Sequence, residues 1–156
     1  MDLLEILKSK LPAEYLFKTM SLWPPYLGAG IKITNISKDF LMLDVAMNLK
    51  WYNRNFVGTH FGGSLFSMTD PFYMLMLIKS LGSEYIIWDK ASKIEFIKPG
   101  KGTVKAHFEF TQDEIDEIRQ HAESKKKYLF NKEVFIFDEQ GDIIAKVEKT
   151  LYVKKI

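Results

Sequence analysis

The chain has 156 residues, 47% hydrophobic and 14% aromatic, which is ample material for one packed domain. Lys and Arg total 22 against 20 for Asp and Glu, a formal charge of +2, so the basic excess of a nucleic-acid binder is missing. Cysteine is absent. That excludes disulfides, thiolate nucleophiles and thiolate metal sites, and fits a cytoplasmic location.

The first eight residues carry two acids among their leucines and do not read as a signal peptide. Leu3, Leu4, Ile6, Leu7 and Leu11 recur at helical spacing up to Pro12, and a second amphipathic segment over 13–22 ends at Pro24-Pro25. Their polar faces are mixed in charge, so residues 1–26 are expected to be a helical segment packed on the core, not a membrane-surface element. From Ile31 the period changes to two. Leu41, Leu43, Val45, Met47 and Leu49 share one face of a half-buried strand, paired with 31–37 through a turn at Lys38-Asp39.

Residues 64–81 have the length and apolar content of a helix buried on most sides, closed by Gly82. Pro71 lies inside this span. Proline lacks an N–H and crowds the preceding turn, so either the first turn is distorted or the regular helix starts near Asp70. The apolar run 72–78 stops at Lys79, far short of the roughly 20 residues needed to cross a bilayer, and a soluble protein is expected.

Residues 85–88 and 92–98 read as one long strand, with Ile94 and Phe96 facing opposite to Lys93 and Glu95. Beyond the turn at Pro99-Gly100-Lys101-Gly102, Val104, Ala106, Phe108 and Phe110 alternate with Lys105, His107 and Glu109. A charged helix over about 113–125 follows, then a hairpin of 134–137 and 143–153. One long apolar helix among antiparallel strands requires a sheet curved around it. The fold class is therefore α+β, a single hotdog domain over 1–156.

The chemistry concentrates between Asn55 and Asp70, where Asn55, Gly58-Thr59, His60-Phe61-Gly62-Gly63 and Asp70 lead into the apolar helix. Glycines at a helix entrance leave backbone N–H groups open to a carbonyl oxygen or an anion. Their other role is close packing against a strand. Asp70 is a candidate base or nucleophile, and Asp followed by Pro is equally a helix-cap pattern. Asn55 can orient a water or a carbonyl, or shape a turn. His60 can be a base or an ordinary loop histidine. His107 and His121 fall on wet faces without partners in sequence, and no metal site is expected.

Asn55, Gly58-Thr59, Gly62-Gly63 and Asp70, with the order of elements from about residue 30 to 153, resemble the hotdog acyl-CoA thioesterases of the phenylacetate-pathway type. That family carries His-Gly-Gly where this chain has Phe61-Gly62-Gly63. The Phe-Gly-Gly step, Asp70-Pro71-Phe72 and 85–90 are similar to an uncharacterised branch of the superfamily. The resemblance implies Asp70 and Asn55 as catalytic residues, and Gly62, Gly63, His60 and Phe61 as the substrate-binding set. It implies an acyl thioester or other acyl ligand, no cofactor, and a homodimer or dimer of dimers whose site lies between protomers. Loss of the histidine leaves a second possibility, a non-catalytic acyl-binding or lipid-like ligand-binding protein.

Overall fold

The computed structural model describes residues 19–124 and 127–156. Most of the expected N-terminal helical segment lies outside them. Its described end differs from expectation in one respect: Pro24 and Pro25 open a helix, α1 (Pro24–Ala29), because proline's missing N–H is harmless in a first turn. Gly30, at φ 75°, closes it in the left-handed region.

Strands β1 (Ile31–Ile36) and β2 (Met42–Asn48) pair antiparallel, and Leu43, Val45 and Met47 are fully buried on one face, as the alternation predicts. The apolar span 64–81 is two helices, α2 (Gly62–Ser67) and α3 (Phe72–Leu81), separated by Met68 to Pro71. The Asp70–Pro71 peptide bond is cis. Pro71 thus does more than distort a first turn: regular helix forms on both sides of it. Phe72, Tyr73, Leu75, Met76, Leu77 and Leu81 bury α3 on most sides, and Gly82 ends it.

The remaining elements are β3 (Tyr85–Phe96), β4 (Thr103–Glu109), α4 (Gln112–Ser124), β5 (Tyr128–Phe137) and β6 (Ile143–Lys155). β5 starts six residues before the expected 134, because 128–133 pair along the far end of β6. The six strands form one antiparallel sheet in the order β1-β2-β4-β5-β6-β3. β4 and β5 meet only at Lys105 with Phe137 and Ala106 with Ile136, so the sheet opens there as it curves. The inner faces of β2, β4 and β6 pack with most of α3 in a single core. This is the hotdog arrangement.

Strand β3 carries a bulge: Asp89 pairs with Leu151 and Ala91 with Thr150, leaving Lys90 extra. Its inner row starts with Tyr85 and Ile87, both buried, and continues to Asp89. On β6 the inner row is Val147, Lys149, Leu151 and Val153, each at most 1% exposed. A lysine therefore stands in the core-facing row of a central strand.

Candidate functional site

The loop from Trp51 to Phe61 is built by two asparagines. Asn53, buried, accepts from the Lys50 amide at 2.7 Å and donates to the carbonyls of Ala29 and Asn48 at 2.8 and 2.9 Å. Asn55 accepts from the amides of Val57 and Thr59 at 3.1 and 3.0 Å and donates to Thr59 Oγ1 and the His60 carbonyl. Both ends of the Asn55 amide are thus engaged inside its own turn.

His60 is buried, with Nε2 3.0 Å from the Gly102 carbonyl, which as an acceptor requires the proton on that nitrogen. Nδ1 is buried with no hydrogen-bond partner. Burial holds the imidazole below its ordinary range, partly opposed by the Gly102 bond, so the ring is neutral at pH 7.

Phe61 precedes α2 and leaves its ring more than half exposed. That ring leans over Gly63, where an added Cβ would lie 2.5 Å from Phe61 Cε1. Gly62 faces Phe96 in the same way, at 2.9 Å from Cζ. Each glycine thus lies against an aromatic ring, which an added Cβ would force to move. They also begin α2, whose first amides have no intrahelical acceptor.

Beside them lies a cavity of about 680 Å³. Leu65, Phe96, Ile97 and Val57 give it apolar walls, and Asn55, His60 and Gly62 also line it, as do Lys98 and Lys101. Phe61, Gly63 and Asp70 are not among the lining residues. Within one chain the structure thus brings Asn55, His60 and Gly62 together and leaves Asp70 apart.

Asp70 sits in the break between α2 and α3. Its side chain makes no cap bond to α3, whose N-cap is Pro71, so the helix-cap reading is corrected. The reason is a competing partner. Lys149 Nζ lies 2.7 Å from Asp70 Oδ1 and 2.9 Å from Asp89 Oδ2. The Lys149 side chain is 2% exposed, Asp89 14% and Asp70 57%, so one carboxylate is inside and the other reaches solvent. Burial pushes the Asp89 carboxyl up, and the Lys149 ammonium opposes that rise. The Tyr26 hydroxyl from α1 donates to the Asp70 backbone carbonyl, and burial followed by the Asp70 charge pushes that phenol well above its ordinary range.

Lys149 and Asp89 were not among the sequence candidates. The clue is the β6 alternation Val147, Lys149, Leu151, Val153, which puts a lysine on an apolar face; a buried lysine needs a counter-ion. No group of three or more His, Cys, Asp or Glu among the described residues could hold a metal ion. No described helix is long and apolar enough to cross a membrane.

Several solved structures share this fold. A protein of unknown function from Pseudomonas aeruginosa, described as a probable thioesterase, matches with a TM-score of 0.81 at 17% identity, over 94% of this chain and 97% of that one. A protein of unknown function from Chlorobaculum tepidum TLS matches at 0.74, with 18% identity over 92% and 95% of the two chains. The PaaI protein of the E. coli phenylacetic acid degradation operon matches at 0.59, with 17% identity over 99% and 96%. Among curated proteins none matches the sequence. The model of a domain of unknown function, DUF4442, matches residues 14–153, nearly the whole chain. The chain belongs to the DUF4442 family and has the thioesterase-like hotdog fold.

Proposed function

We propose that this protein hydrolyses acyl thioesters, as an acyl-CoA thioesterase-like hotdog protein of the cytoplasm. The observation that carries the reading is Asp70: an exposed carboxylate fixed by a buried ammonium at a break in the central helix. In the reaction Asp70 takes a proton from water as the water oxygen bonds to the acyl carbonyl carbon; the carbon–sulfur bond then breaks, and the proton passes from Asp70 to the leaving sulfur, releasing the thiol and restoring the carboxylate. The amides of Gly62 and Gly63 are the donors for the carbonyl oxygen, a contribution of about a hundredfold to a thousandfold where such donors are well placed. The cavity volume is in the usual range for a small-molecule site, and its apolar walls suit an acyl chain.

The site is read as shared between two protomers, one giving the cavity and glycine entrance, the other giving Asp70, in a homodimer or a dimer of dimers. Support comes from the separation of Asp70 from the cavity of its own chain. Further support comes from β3, which ends the sheet order, and from Trp51, Phe56 and Val57, apolar side chains almost wholly exposed on the loop whose Val57 lines the cavity. The test is a hydrolysis screen over short, long and aromatic acyl-CoAs with Asp70→Ala as control. Turnover by the parent and loss of at least about a hundredfold in the variant is expected; equal turnover by both removes Asp70 as the catalyst.

A second reading is favoured by a separate observation. His60 is buried and engaged with Gly102, and Phe61 puts an apolar ring at the glycine entrance. This arrangement suits a non-catalytic acyl-binding protein, since it adds apolar contact and engages the imidazole. Co-purification of an acyl ligand without cleavage of any thioester selects it.

A further inference from the structure

Lys149 is the one lysine among the described residues that belongs to the buried set, and its position cannot be explained as the snorkelling of a long side chain to water. A buried ammonium is costly to leave unpaired, so its partners give its position meaning. Two carboxylates meet it at hydrogen-bond distance, 2.7 Å for Asp70 and 2.9 Å for Asp89, and the Phe66 ring centroid lies 5.8 Å away. The three partners arrive from three elements: the helix break, the bulged strand β3 and α2.

The two acids are not equivalent. Asp89 turns Oδ2 to Lys149 and keeps Oδ1 in the interior without a partner. Only 14% of its side chain is exposed. Asp70 offers Oδ1 to Lys149 and leaves most of its side chain accessible. Its backbone carbonyl is held separately by Tyr26. An exposed aspartate ordinarily turns among rotamers; this one is fixed at both its carboxylate and its carbonyl.

We propose that Lys149 is the positioning residue of the site, its ammonium aiming the Asp70 carboxylate, with Asp89 as its inner counter-ion. The proposal rests on the acyl-thioester reading above. Of the two acids on Lys149, it is Asp70 that reaches solvent. Orientation of a reacting group acts on the chemical step more than on substrate capture, so removal of the tether should fall on kcat and spare KM.

The experiment compares the parent, Lys149→Met/Asp89→Asn and Asp70→Asn/Lys149→Met/Asp89→Asn. The double variant takes out the ammonium and its interior counter-ion together, so no buried charge is stranded and folding is retained, as circular dichroism would verify. Steady-state kinetics use the acyl-CoA that the parent cleaves best. The expected result is a fall of about tenfold to a hundredfold in kcat for the double variant with KM within about twofold. A purely structural lysine predicts a folded double variant with parental kcat, which would overturn the proposal. If the parent cleaves no thioester, the hydrolytic reading has failed by itself. The tether is then decided by a cycle of Asp70→Asn and Lys149→Met in the Asp89→Asn background, read as urea unfolding constants. A coupling of about fivefold or more upholds it, and a coupling factor of one overturns it.

Discussion

Lys149 and Asp70 are 79 residues apart in sequence and 2.7 Å apart in the fold, and the lysine reaches the aspartate from the core-facing row of a central strand. This contact, not a helix cap, determines where the Asp70 carboxylate stands. It makes the ion cluster a matter of stability as well as of reactivity.

Replacement of Lys149 by Met alone strands the Asp89 carboxylate in the interior. Loss of roughly 3–5 kcal/mol of stability is expected, the usual cost of an uncompensated buried charge. Adding Asp89→Asn should recover part of it, since the stranded charge is gone although a buried amide is left without its lysine partner. Urea denaturation of the three proteins checks this; a double variant as unstable as Lys149→Met would mean that the lysine supports the core by packing alone.

Asn55→Ala removes the bonds that shape the turn from Asn55 to His60. A stability loss of about 1–2 kcal/mol is expected, mostly from the amide of the buried Thr59 left without its side-chain acceptor. Because the same turn walls the cavity, binding of an acyl-CoA should weaken with it. A variant of parental stability whose kcat alone has fallen would instead assign Asn55 to the chemistry.

The buried His60 gives stability a pH dependence of definite sign. Its folded value lies below the ordinary 6.5 because of burial. As pH falls through about 6.5 the unfolded chain gains a proton that the folded chain does not take up, so stability declines from there down to the folded value. The contribution is fully present above 6.5. Urea midpoints of the parent and of His60→Gln at about pH 7.5, 6.5 and 5.5 isolate the effect, and the variant should show the shallower decline. Parallel curves would show that the imidazole titrates alike in both states.

Gly63→Ala places a methyl group where the Phe61 ring now lies, 2.5 Å from Cε1. The ring is more than half exposed and can swing away, so stability should change by only about 0.5 kcal/mol. The apolar edge of the glycine entrance would then be lost. Calorimetric titration with a non-hydrolysable acyl-CoA analogue should show binding several-fold weaker, and unchanged affinity would remove Phe61 from the ligand contacts.

Much of the fold was legible because its strands are wet on one face. Leu43, Val45 and Met47, and Val104, Ala106 and Phe108, alternate with polar residues and are buried where the alternation puts them. The start of β5 was not legible: Asn131, Lys132 and Glu133 look like loop, and only pairing with β6 makes them strand. The site was half legible. The stretch from Asn55 to Asp70 does hold the glycine entrance, but local grammar suggested that Asp70 caps a helix. A partner on the last strand overrides that grammar, and no local window contains both residues. Lys149 falls in phase with Val147, Leu151 and Val153, a charge in an apolar row that the sequence candidates did not include.

The extra residue at Lys90 decides a question of parity. Before it, odd-numbered residues of β3 share the inner face: Tyr85, Ile87 and Asp89. After it, even-numbered residues do, with Ile94 opposite Val147 and Phe96 opposite Ala145. Were β3 regular from Phe96 backwards, Asp89 would fall opposite Tyr152 on the outer face, and Lys149 would have one counter-ion in place of two. The change of phase lets a single edge strand serve two places, neutralising the ammonium with Asp89 at one end and walling the cavity with Phe96 at the other.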